Sequence, residues 1–312
     1  MARGHNLIRT APEVAASLAS GGPVVALEST VLAHGLPYPL NLETAQACVA
    51  EVRRHGVTPA TIGIVEGSPV IGLSNEELES FAKIKAPDGS QIRKVSLNNL
   101  ASVMLNRDWG ATTVAATMQI ASKGGLQVFA TGGIGGVHRG VSSSHDVSAD
   151  LTALSRIPLI CVCAGAKAIL DLPKTVEHIE TLGVPVVGYR TDQFPAFYST
   201  DSGLPVDCTV DSPEEAAVLA LNHWRAGMNT AVLICVPVPE EIAMSREEVE
   251  QSVERAVQRA TELGIRGKAL TPFMLAELER TTEGRTLRAN RALLVNNASV
   301  AAQVARYLTT EL

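Results

Sequence analysis

Aromatic residues are scarce in this chain, with two Trp, four Tyr and five Phe among 312 residues. The apolar fraction is nevertheless 46%, most of it Ala, Val, Leu and Ile set between frequent glycines. That composition suits stacked helices and buried parallel strands. There is no cationic excess: 26 Lys and Arg stand against 32 Asp and Glu, a formal charge of -6, which removes the electrostatic footprint of a nucleic-acid binder. An anionic small molecule stays compatible, since it needs only a local cluster of donors. No apolar stretch is long enough to cross a bilayer, and the N-terminus lacks a basic segment followed by an apolar run. A cytoplasmic protein without a membrane partner is the expectation. The five cysteines do not form a disulfide framework in a chain this long. Cys161 and Cys163 lie in Leu159-Ile-Cys-Val-Cys-Ala164, which reads as a buried strand with the thiols as small core hydrophobes. Neither a polar linker nor an internal repeat interrupts the chain, so residues 1–312 are expected to form one domain.

Short apolar runs alternating with helical segments make up the rest. Strands are expected at Pro23–Leu27, Thr61–Val65, Gln127–Ala130, Pro158–Cys163, Val184–Tyr189 and Thr230–Val236. Helices are expected between them, at 42–55, 75–81, 112–121, 148–155, 213–226 and 246–263, then at 271–281 and 287–307. A further helix is expected at Lys167–Leu170 or just beyond Pro173. This alternation implies an α/β fold, with a mostly parallel sheet covered on both faces.

Ligands of open parallel sheets collect at the carboxyl ends of the strands. Three features fall there: Glu28, the loop Thr131-Gly-Gly-Ile-Gly-Gly136, and Lys167. The loop matches neither the dinucleotide fingerprint nor a Walker motif. Its N–H groups can cradle a phosphate, with Thr131, His138, Arg139 and Ser144 as added donors; the alternative is that four glycines permit a tight turn. Asp146 and Asp150 share a face if both are helical, and their carboxylates would then suit Mg or Mn. Alternatively, one of them merely caps the helix toward Leu154. A lysine at the position of Lys167 is either desolvated and nucleophilic or snorkels to solvent. Lys94 alone reads equally as a solvated charge. Glu28, if partly buried, would have a raised pKa and could donate a proton near neutrality. It could instead be tied structurally to a histidine or to backbone donors; His34 reads as an orienting or satisfied histidine.

Taken together, several long motifs resemble one family along nearly the whole chain. They are Ala26-Leu-Glu-Ser-Thr-Val-Leu-Ala-His-Gly-Leu-Pro-Tyr-Pro39, Lys94-Val-Ser96, Gly110-Ala-Thr-Thr-Val-Ala115 and Phe129-Ala-Thr-Gly-Gly-Ile-Gly-Gly-Val-His-Arg-Gly140. Asp146-Val-Ser-Ala-Asp-Leu151, Cys163-Ala-Gly-Ala-Lys167, Gly267-Lys268, Thr271-Pro-Phe273 and Asn296-Asn-Ala298 complete the set. The family is that of the pseudouridine-5'-phosphate glycosidases. The resemblance implies an α/β/α layered fold, a homotrimer, and reversible cleavage of pseudouridine 5'-phosphate to uracil and ribose 5-phosphate. It assigns the nucleophile to Lys167, forming a sugar iminium adduct, and the proton donor to Glu28. It implies substrate contacts at Lys94, Val114, Thr131, His138, Ser148, Asp150 and Asn290, and one Mn2+ per subunit on Asp146. The chain departs from the family pattern in Lys83–Gln91 and Val141–His145, away from the implied catalytic pair.

Overall fold

The computed structural model describes residues 7–265 and 270–310; Gly267 and Lys268 of the family motifs lie outside them. Among the described residues eleven strands form one sheet: β1 (Arg9–Thr10), β2 (Val24–Leu27), β3 (Thr58–Val65), β4 (Ser68–Ile71), β5 (Arg93–Val95), β6 (Gly110–Thr112), β7 (Val128–Ala130), β8 (Ile160–Cys163), β9 (Val186–Tyr189), β10 (Cys208–Val210) and β11 (Val232–Cys235). Their order is β1-β4-β3-β2-β7-β8-β11-β9-β10, with the pair β5–β6 joined through β6 to β3. Every pairing is parallel except those of β3 with β4 and with β6. Residues of β2, β8 and β11 are buried without exception, as strands covered on both faces must be.

Helices cover both faces, giving three α/β/α layers. On one side the long helix Arg285–Thr310 packs on β2, β7 and β8 and on the helices Leu40–Arg54 and Pro213–Arg225. Small residues make this approach possible: Ala289, Ala298, Ala301 and Ala302 are fully buried there. On the other side Val114–Lys123 packs on β2 and β3 and against the helix Ala149–Leu154. The cysteines are all unpaired, and Cys161, Cys163 and Cys235 are fully buried in the central strands. Among the described residues no helix is long and apolar enough to cross a membrane.

Two details of this sheet create the site. β2 pairs with β3 only as far as Leu27↔Thr61; beyond that, β3 exchanges β2 for β6, with Gly63 opposite Ala111. The carboxyl end of β2 therefore opens onto a gap roofed by β5 and β6. Meanwhile β2, β7 and β8 are consecutive neighbours, so the residues leaving all three emerge side by side.

The expected helix at Lys167–Leu170 is absent. Instead the chain after β8 runs beside the glycine loop, with Ile134 bridging Ala166, and the helix begins at Leu172, capped by Asp171. Gly165 makes this path possible, since its φ of +78° is left-handed and a Cβ would strike the carbonyl of Pro195.

Candidate active site

Glu28 follows β2 directly and Thr131 follows β7. The register Leu27↔Ala130 sets them across from each other, and the Thr131 hydroxyl donates to Glu28 Oε1. Glu28 is only 8% exposed. Burial raises its pKa above the usual carboxylate range; Lys167, the Thr131 hydroxyl and Lys94 oppose that rise, and Asp150 adds to it. A buried carboxyl with a raised pKa, set among two lysines, is the result.

Lys94 sits in β5 opposite Ala111 of β6, and the Ala111 carbonyl accepts from Thr30 Oγ1 at 3.2 Å. The small β5–β6 pair thus carries a lysine over the end of β2. Lys167, half-buried, arrives from β8, its backbone N–H donating to the carbonyl of Ile134 at 3.1 Å. Glu28, Thr30, Lys94 and Lys167 together line two adjoining lobes of one cleft. The larger lobe, about 1000 Å³, adds Val114, His138, Asp146, Ser148 and Asp150 among its walls. The smaller, about 520 Å³, adds His34, Gly132, Gly133, Phe197 and Asn290. Of the catalytic, substrate-contacting and metal-binding residues that the resemblance implies, all line this cleft but Thr131, which instead hydrogen-bonds Glu28.

The glycine loop is a wall of the cleft, and three of its six N–H groups are engaged within the protein. Thr131 N–H donates to Val162, Ile134 N–H to Gly165, and Gly135 N–H to Asp150 Oδ2. The glycines answer to crowding: a Cβ on Gly133 would lie 2.6 Å from the Phe197 ring, and one on Gly136 would lie 2.5 Å from Thr175. Gly133→Ala should therefore cost about 1–3 kcal/mol of stability by overpacking, readable in a denaturant titration. Two of the expected auxiliary donors lie elsewhere. Arg139 is held by both oxygens of Glu250, at 2.6 and 2.8 Å, and Ser144 bonds back to Gly140.

Asp150 ties the site together. Its Oδ1 accepts from the N–H of Ala115 at 2.9 Å, in the first turn of Val114–Lys123, and its Oδ2 from Gly135 at 2.8 Å. Asp150→Ala would leave both N–H groups buried without partners, and should cost about 2–5 kcal/mol in thermal or denaturant unfolding.

The expected Mn2+ on Asp146 requires correction. Among the described residues no group of three or more His, Cys, Asp or Glu side chains is gathered to hold a metal ion. The helix starts only at Ala149, with Ser148 as its cap, so Asp146 precedes it and does not share a helical face with Asp150. Both oxygens of Asp150 already serve backbone donors. A resident manganese held by these residues does not fit, and the metal-binding assignment of Asp146 falls with it. What Asp146 does provide is a negative charge beside His138. Burial lowers the His138 pKa, Asp146 raises it, and Lys167 and Lys94 lower it further; the net direction is down, favouring a neutral ring.

Two further polar residues bear on the site: Asn297, with no role expected beyond its place in a family motif, and His34, expected as an orienting or satisfied histidine. Asn297, fully buried, donates from Nδ2 to the carbonyl of Thr131 at 2.8 Å and so anchors the glycine loop to the long helix. It lies seven residues after Asn290 on that helix, and two asparagines on one face of an otherwise Ala- and Leu-lined helix were the readable signal. The second is His34, whose Nε2 is buried with no hydrogen-bond partner; the Oδ1 of Asn290 is in the same condition. Both residues line the smaller lobe.

Comparison with known proteins places this arrangement. The family described as "Indigoidine synthase A like protein" matches residues 13–307. The pseudouridine-5'-phosphate glycosidase of Chloroflexus aurantiacus is 51% identical over 96% of this chain and 98% of its own. That of Herpetosiphon aurantiacus is 52% identical over 95% and 96%. Two crystal structures superpose over 99% of both chains: the prealnumycin C-glycosynthase AlnA in complex with ribulose 5-phosphate (37% identity, TM-score 0.90) and an indigoidine synthase A-like protein from Thermotoga maritima (36% identity, TM-score 0.88). With relatives this similar matched end to end, the chain belongs to the pseudouridine-5'-phosphate glycosidase family.

Proposed function

We propose that this enzyme reversibly cleaves the carbon–carbon glycosidic bond of pseudouridine 5'-phosphate, giving uracil and ribose 5-phosphate, through an iminium adduct on Lys167. The observation that carries the reading is a buried Glu28, its pKa raised by that burial, sharing both lobes of one cleft with Lys167 and Lys94. The named activity of its half-identical relatives supports the substrate. A C-glycosynthase that binds a pentose phosphate on the same fold supports the bond type.

A C–C glycoside has no glycosidic heteroatom to protonate, so a carboxylate pair of the ordinary kind has little purchase on it. An amine offers another course. The Lys167 amine bonds to C1', and the C1'–O4' electrons pass to the ring oxygen, which Glu28 protonates. The ring is now open, and C1' carries both the lysine nitrogen and C5 of the base. The Lys167 nitrogen, an ammonium after bonding, sheds a proton and regains its lone pair. A proton taken up at C5 draws electrons from N1 through C6, so that the proton count is unchanged. The C1'–C5 bond then breaks, its electrons restore the C5–C6 double bond of uracil, and the nitrogen lone pair forms the iminium. Water adds to C1', and loss of the amine releases open-chain ribose 5-phosphate. The sugar phosphate would occupy the larger lobe with Lys94, Ser148 and His138, and the base the smaller lobe with Asn290. Carried over from the family, we also propose a homotrimer, checked by a light-scattering mass of three chains.

The test is incubation with pseudouridine 5'-phosphate while uracil is followed, with a parallel sample quenched by borohydride and mapped by mass spectrometry. Uracil release with a reduced pentose-phosphate adduct on Lys167 is the expected result. Release without an adduct would retain the substrate and discard the iminium. Neither signal from folded protein would turn the reading toward another phosphosugar lyase.

A further inference from the structure

The short helix Thr30–His34 is set by the end of β2, and its two faces differ. Leu32 and Ala33 are buried in the side core with Phe81 and Trp109. Thr30, Val31 and His34 are related by three and four residues and line the smaller lobe. His34 is thus aimed into the cleft by the same turn that follows Glu28. Its Nε2 is buried and unpartnered, a condition that costs stability unless a ligand relieves it. Asn290 lines the same lobe, and its Oδ1 is equally buried and equally without a donor. The two orphaned atoms have complementary needs. Oδ1 can only accept, so it calls for a ring N–H; an imidazole N–H calls for an acceptor. Burial and the neighbouring Lys94 both lower the His34 pKa, which keeps the ring neutral, with one N–H and one lone pair.

We propose that His34 is a specificity-determining residue that donates from Nε2–H to a carbonyl oxygen of the pyrimidinedione, while Asn290 accepts from the adjacent ring N–H. The lactam edge of uracil carries a carbonyl and an N–H side by side, the pattern that this pair of orphaned atoms completes. A heterocycle lacking that edge would leave a buried donor and a buried acceptor unpaired, and such sites discriminate strongly. The Glu28 and Lys167 chemistry on the sugar makes no use of His34, so its contribution should separate from theirs.

This inference rests on the proposed reaction, and synthesis from uracil and ribose 5-phosphate tests the two apart. His34→Ala should raise KM for uracil about tenfold to a hundredfold, leaving KM for ribose 5-phosphate within about twofold. Borohydride trapping of ribose 5-phosphate on Lys167 in the absence of uracil should be unchanged, which also reports that the variant is folded. His34→Gln retains an amide donor and should recover much of the uracil affinity; it also serves if the alanine variant does not fold. An unchanged uracil KM, or parallel loss of trapping and uracil affinity in both variants, would overturn the role of His34. Absence of any adduct in the unaltered enzyme would instead overturn the reaction itself.

Discussion

Lys167→Ala and Lys167→Arg should both abolish uracil release, lowering kcat by at least about 10⁴-fold, the scale expected when a covalent nucleophile is removed. The arginine variant separates two roles. It keeps a cation in the cleft but offers no nucleophilic amine, so substantial activity in it would mean that Lys167 acts only as a charge. Both variants should also lose the borohydride-stable adduct. Their folding should be nearly unaffected. The segment is held by its backbone, through Lys167 N–H to Ile134 at 3.1 Å and Leu170 N–H to the Lys167 carbonyl at 3.0 Å, and neither bond involves the side chain. A second consequence falls on Glu28. Lys167 is the largest influence opposing the rise in its pKa, so Lys167→Ala should push that carboxyl further up. Carboxyl titration of wild type and variant by isotope-edited infrared spectroscopy reads this directly, and a Glu28 signal that does not move would show that the two groups do not share a field.

How much of this was readable beforehand depends on what kind of signal each part leaves. The central strands are short apolar runs bounded by Gly, Pro or Thr, and their order along the chain is enough to imply layers and strand-end ligands. Glu28 and Lys167 were legible for that reason. Lys94 was legible only through the Lys94-Val-Ser96 motif, because the annex that positions it is two strands of three residues each, one beginning with Gly110, with no hydrophobic alternation to mark them. Its place comes from β3 changing partners, a tertiary event. The glycine loop leaves a signal with two meanings. Four glycines suggest N–H groups turned toward a phosphate, and they equally admit Phe197, Thr175 and Asp150 at close range. The spacing of Asp146 and Asp150 likewise suggested a common helical face, which the cap at Ser148 removes by starting the helix between them. His34 read as an orienting or satisfied histidine, because sequence cannot show that nothing answers its Nε2.

Glu28→Gln should lower kcat/KM by about 10²–10⁴-fold, the range for a lost general acid, while making the protein more stable at neutral pH. The stability claim follows from the sign of the shift. Burial raises the folded-state pKa above its ordinary value of 4.5, and Lys167, Thr131 and Lys94 only partly offset this. Between 4.5 and the raised value, the native state binds more protons than the unfolded one, so stability falls as pH increases through that window. Glutamine is neutral throughout and keeps an acceptor for the Thr131 hydroxyl, so it escapes this loss. Thermal unfolding across a pH series should therefore show the variant gaining on wild type as pH rises, then holding a constant lead. A difference independent of pH would mean that Glu28 is not held protonated by its surroundings. The activity profile provides the matching half. In wild type, kcat/KM should decline as pH rises through the Glu28 pKa, because the acid that protonates the ring oxygen is lost, and the residual activity of Glu28→Gln should lack that limb. Stability and activity moving in opposite directions at one position would mark a group that the fold keeps at a cost because the reaction requires its proton.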